Sequence, residues 1–170
     1  INNVVIQPLH IIPGFEYEKI RNQAEDFKKK NKDFKITIGK PLLCEDSDFH
    51  KVIDALKKEN VIDGNPIVFM GHGSEHSSDS AYLKLEELFK AREHENIFIG
   101  TVEGEKTLED IIEILKEKEI KAVKLRPFML VAGDHACNDM ASEDDNSWLS
   151  QLRAQGIGVE AEIKGLGQLK

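Results

Sequence analysis

Two hydrophobic periods take turns along this chain. Short apolar runs occupy residues 4–10 (VVIQPLH), 34–43 (FKITIGKPLL), 67–70 (IVFM), 97–102 (IFIGTV) and 121–126 (KAVKLR). Their β-branched and aromatic content predicts strands. Between them the apolar residues recur at helical spacing, which predicts helices over 15–32, 47–60, 79–93, 107–118 and 145–155, and a last strand near 158–163. Ile20, Ala24 and Phe27 share one face of the first helix, and Phe49, Val52, Ile53 and Leu56 one face of the second. Thr107 with Asp110 three residues on is close to a capping box. The DGNP stretch (63–66) is the strongest turn signal and the predicted domain boundary, dividing 1–63 from 64–170.

Strands alternating with helices of this length build βαβ units, so the predicted fold class is α/β with parallel sheets flanked by helices. In such sheets ligands bind beyond the carboxyl ends of the strands. The residues expected there are His10, His72, Glu103 and His135. Glu103 follows His72 by 31 positions and His135 follows Glu103 by 32. A βα unit takes roughly 30 residues, so the last three fall at the ends of successive strands on one sheet edge. Two imidazoles and a carboxylate brought together in this way form a donor set for a divalent metal with positions left open. Each is flanked by glycine (Gly71 and Gly73, Gly104, Gly133), and a missing Cβ allows close approach to the backbone. Taken singly, a histidine at a strand end is also a common hydrogen-bonded loop residue, and Glu103 could serve a helix start. His76, four residues after His72, suggests a pair but lies in loop-like sequence. His50 and His94 are expected on helix surfaces.

Composition narrows the partners. Net charge is −8, which argues against nucleic acid, since phosphate binding needs clustered Lys and Arg. The basic cluster of Lys28, Lys29, Lys30 and Lys32 ends a predicted helix, where it suits the helix dipole. No apolar run reaches the length of a membrane span. Cys44 and Cys137 are isolated, so a reducing, cytoplasmic setting is expected. The chain opens on Ile1 inside an apparent strand, so a preceding targeting segment is left open. The GHGSEH stretch has His76 where a dinucleotide fingerprint needs its third glycine, and no P-loop, G-x-S-x-G elbow or HExxH motif occurs. No nucleotide is therefore expected. The acidic run Glu143, Asp144, Asp145 lacks EF-hand spacing and is expected to open the helix containing Trp148.

The stretches QPLHIIPGFEYEKI, MGHGSEH, VEG and PFMLVAGDHACNDMASEDDNSW, followed by GLG, resemble the anaerobic-pathway sirohydrochlorin cobaltochelatase family of cobalamin biosynthesis. The resemblance covers essentially the whole chain, and MLVAGDHACNDMA is its most specific stretch. It implies a class II chelatase: two similar α/β lobes around a cleft, and ATP-independent insertion of Co2+ into a tetrapyrrole. By motif, the implied metal ligands are His72, Glu103 and His135. It also implies further chain before the first lobe and after GLG. On this footing Gly71 and Gly73 would let a flat ring pass His72, His10, Met129 and Leu130 would contact it, and Asp134, His76, Ser74 or Glu75 would orient the imidazoles. Arg126 and Lys40 would answer the substrate carboxylates. Fe2+ or Ni2+ insertion into the same ring, a metal carrier that never meets a tetrapyrrole, and a homo-oligomer remain open.

Overall fold

The structure, a computed structural model, describes residues 2–169. Its elements are β1 (Asn3–Ile6), α1 (Phe15–Lys30), β2 (Lys35–Ile38), α2 (Asp46–Lys58), β3 (Ile67–Gly71), α3 (Ser80–Ala91), β4 (Ile97–Thr101), α4 (Leu108–Glu117), β5 (Ala122–Pro127), α5 (Trp148–Ala154) and β6 (Gly158–Ala161). They form a parallel two-stranded sheet, β1–β2, and a parallel four-stranded sheet in the order β4-β3-β5-β6. Among the described residues, no helix is long and apolar enough to cross a membrane.

The four-stranded sheet is the heart of the molecule. Every residue of β3 and β4 is buried, as expected for parallel strands covered on both faces. Alternate side chains serve opposite faces. Ile67 and Phe69, with Ile97 and Ile99, pack under α2 and α3 beside Phe49, Ile53 and Phe89. Val68 and Met70, with Phe98 and Leu125, pack under α4 and α5 beside Ile111, Trp148 and Leu152. One core thus spans both sides of the DGNP turn, because α2 lies against α3, tied by Lys84–Asp46 and Arg92–Asp54 ion pairs at 2.6 Å each.

The smaller sheet is more exposed. In β1 only Ile6 is even half-buried, and Val5 is 75% exposed. The strand stops short of the predicted 4–10 because Pro8 carries no N–H for the ladder. Likewise β2 stops at Ile38, before Gly39 and Pro41. Backbone bonds from Leu42 to His10 and from Leu43 to Ile11 (3.0 and 2.8 Å) still tie the two segments. On α1, Ala24 is buried, but Phe27 is 44% exposed and meets Phe34 edge-on.

Helix starts follow their caps. Asp110 accepts from the Thr107 backbone N–H at 2.8 Å, so α4 begins where the sequence predicts. For α5 the cap is Ser147, whose Oγ accepts from the Ser150 N–H at 3.1 Å. The acidic run before it forms an exposed turn rather than the helix start. Among the described residues three short helical turns were not expected: Ser77–Asp79, Leu166–Gln168 and a wider one over Ala136–Met140. His94, expected at the surface, is half-buried against Phe89, with Nε2 buried and, among the described residues, without a hydrogen-bond partner.

Candidate metal and ring site

Chain order places a crevice at the ends of β3 and β5. The first strand of the larger sheet, β3, is flanked by β4 on one side and β5 on the other. Its outgoing connection runs to α3 on one face, while that of β5 runs to α5 on the other. Neighbouring strands whose connections part in this way open a crevice at their carboxyl ends. His72 follows β3, Glu103 lies two residues past β4, and His135 lies in the segment after β5.

His72 is the hinge of the group. Its Nδ1 is 3.1 Å from the Gly73 carbonyl oxygen and 3.7 Å from Glu103 Oε2. Both partners only accept, so the ring proton belongs on Nδ1 and Nε2 keeps its lone pair. The loop geometry behind this is specific. Gly73 has φ +80°, and a Cβ there would strike the Gly104 backbone. Gly71 is buried in β3, and the space its missing Cβ leaves is filled by the Tyr82 ring. These two glycines, read from sequence as room for a passing ring, are used by the fold itself. Gly73 still forms part of the cavity wall described below, and Gly71 does not.

His135 is prepared by a different partner. The rings of His72 and His135 meet edge-on with centroids 4.5 Å apart. His135 Nδ1 lies 2.5 Å from Asp139 Oδ2, one turn further along. A carboxylate on Nδ1 fixes the tautomer and again leaves Nε2 free. Asp134, the expected orienting residue, instead accepts from Asn138 Nδ2 at 2.7 Å. The sequence signal for Asp139 is the i, i+4 spacing within DHACND, which becomes a contact only because residues 136–140 turn helically. Among the described residues no three His, Cys, Asp or Glu side chains close around one point as a finished cage. The predicted trio is instead two contacts that share His72.

Beside these residues lies a cavity of about 990 Å³ whose wall includes His10, Phe15, His72, Tyr82, Glu103, Met129 and Leu130. That volume is at the upper end of small-molecule sites. His10 stands on the wall with its Nδ1 buried and, among the described residues, without a hydrogen-bond partner. Glu16, Glu75 and Glu103 also line the space, and among the described residues no Lys or Arg does. The Glu16 carboxyl is held below its usual range by the hydrogen bond from Lys19 and by the Lys19 charge. His76 lies outside the wall. Its Nδ1 bonds Ser78, and its ring packs edge-on against Phe15 at 4.8 Å. The two expected cations are committed elsewhere. Buried Arg126 pairs with Glu162 at 3.1 Å, and Lys40 pairs with Glu45 and with Asp48, whose carboxyl it helps hold at about 2.

A family model described as cobalt chelatase (CbiK) matches residues 1–170. The chain is 37% identical over 168 residues to the sirohydrochlorin cobaltochelatase of Salmonella typhimurium, covering 98% of this chain and 62% of that protein. It is 35% identical over 169 residues to the sirohydrochlorin cobaltochelatase CbiKC of Nitratidesulfovibrio vulgaris, covering 98% of this chain and 60% of that protein. It therefore spans about three fifths of the length of these curated relatives. Its fold is similar to that of the sirohydrochlorin chelatase SirB of Bacillus subtilis subspecies spizizenii, solved in complex with cobalt. The TM-score is 0.61 at 14% identity, over 99% of this chain and 64% of that one.

Proposed function

The chain belongs to the cobalt chelatase (CbiK) family, and from that premise we propose that it serves the insertion of Co2+ into sirohydrochlorin, without ATP, on a route to cobalamin. The observation that carries this reading is the pair of imidazoles. His72 and His135 meet at 4.5 Å where β3 and β5 end, and each has its Nδ1 already engaged. With Nδ1 engaged, the Nε2 of each ring is left to act as a donor to a first-row dication. Glu103, exposed and next to His72, supplies the carboxylate as third donor and as acceptor for a pyrrole proton.

Insertion exchanges one dication for two N–H protons, so the ring's charge does not change and no phosphate bond need be spent. What the protein must provide is a site that holds the metal with open positions and lets go when the ring nitrogens take over. Three donors of mixed type, not closed into a cage, suit that task. The glutamates along the cavity draw a cation inward. Met129 and Leu130, with exposed Leu9, Phe15 and Val131 at the same wall, offer an apolar face to the macrocycle. His10, also on the wall, offers a polar contact to the ring's substituents. We place the first lobe in 1–63 and the metal-bearing lobe in 64–170, with α2 crossing into the core of the second. Exposed, unpaired Cys44 and Cys137 suit a reducing, cytoplasmic setting.

The test is an ultraviolet–visible titration of the protein with sirohydrochlorin and then Co2+. A chelatase perturbs the ring's Soret band on binding and accelerates its shift to the metallated form. Binding of Co2+ with no effect on the ring spectrum or its rate of change would mark a carrier and overturn the proposal.

A further inference from the structure

We propose that Asp79 is a positioning residue for the metal donors, one carboxylate clasping the loop that carries His72 to the loop that carries Glu103. This rests on the reading of those two residues as donors. Asp79 immediately precedes α3, where an aspartate ordinarily accepts from the first turn of its own helix. Here it makes no such bond. Its Oδ1 accepts from the Ser74 backbone N–H at 3.0 Å, and its Oδ2 from the Glu105 backbone N–H at 2.8 Å.

The symmetry is informative. Ser74 lies two residues past His72, and Glu105 two residues past Glu103. Asp79 is only 6% exposed, so its charge is stabilised largely by these two donors, and each is tethered in return. The backbone closes the same junction, with the Glu103 N–H donating to the His72 carbonyl at 2.8 Å. A Cβ on Gly104 would run into the Asp79 carboxylate, so the loops leave no slack around it. Tyr82, one helical turn further on, joins the arrangement. Burial pushes its phenol up, a hydrogen bond with the Gly73 backbone opposes this, and the Asp79 charge adds to it. The 3.7 Å separation of His72 and Glu103 is thus set from below by α3 and not by the two side chains alone.

Asp79→Asn keeps the shape but turns one acceptor into a donor facing an N–H. The experiment compares wild type, Asp79→Asn and His72→Ala for Co2+ affinity by calorimetry, for the visible bands of bound Co2+, and for thermal unfolding. For folded Asp79→Asn, an affinity loss on the order of 10-fold is expected, with altered band intensity, which a purely structural residue would not change. Affinity within about twofold and unchanged bands in the folded variant would overturn the clasp. Should the variant not fold, hydrogen exchange of the wild type decides: the Ser74 and Glu105 amides must be protected alike, and free exchange at either one contradicts the proposal. If His72→Ala keeps wild-type Co2+ affinity, the donor reading fails, whereas loss there with none in Asp79→Asn removes only the clasp.

Discussion

The two imidazoles of the crevice are held in opposite ways. His72 is fixed by main chain: a carbonyl on its Nδ1, a left-handed glycine beside it, and backbone bonds from Val102 to Gly71 and from Glu103 to His72. His135 depends on one side chain, Asp139, in a segment where Val131, Gly133 and Asp134 are exposed and a Cβ on Gly133 would meet nothing within 4 Å. One donor is built into the sheet edge, and the other opens a helical turn that is anchored in the core through buried Ala136 and Met140.

The largest effect that bears on this contrast is loss of either ring. His72→Ala and His135→Ala should each reduce cobalt insertion to background, while thermal unfolding stays close to wild type. Both side chains are partly exposed, 47% and 36%, so little core packing goes with them. Metallation rates measured beside melting curves check this, and a variant that metallates normally removes that histidine from the site.

Next come the carboxylates. Asp139→Asn and Glu103→Gln should each lower metal affinity or insertion rate by about 10–100-fold. Asp139 has the narrower role, because among the described residues it is the one side chain bonded to His135 Nδ1, whereas His72 keeps its Gly73 bond when Glu103 is altered. Steady-state rates against Co2+ concentration for the two variants sharpen the comparison. Equal, negligible effects would mean that neither carboxylate orients a donor.

The smallest effect lies in the glycines. Gly73→Ala should destabilise the fold by more than about 1 kcal/mol, since φ is +80° and the Gly104 backbone blocks the new Cβ. Gly133→Ala should stay within about 0.5 kcal/mol. Denaturant midpoints measure both. A tolerant Gly73 would mean that main chain does not fix the His72 loop.

The sequence carried the architecture because βα rhythm and continuous apolar strands are properties of single segments. The 31- and 32-residue separations pointed His72, Glu103 and His135 to one sheet edge, although His135 lies well past the end of β5 and meets His72 by way of its own loop. What it did not carry were relations between segments. Gly71 reads as room for a ligand until Tyr82 is seen to fill it, and Arg126 as a free cation until Glu162 answers it. Asp139 was hidden because the helical turn of 136–140 has no strong periodicity to announce it. Asp79 was hidden because it falls at the first position of the predicted helix 79–93, and only the fold brings the Glu105 amide to it.

X-ray absorption at the cobalt edge of the Co2+-loaded protein addresses the pairing of the two donors most directly. Wild type should show two imidazole nitrogens bound to the metal, and His135→Ala one. A single imidazole in wild type, or an unchanged count in His135→Ala, would contradict the joint site of His72 and His135.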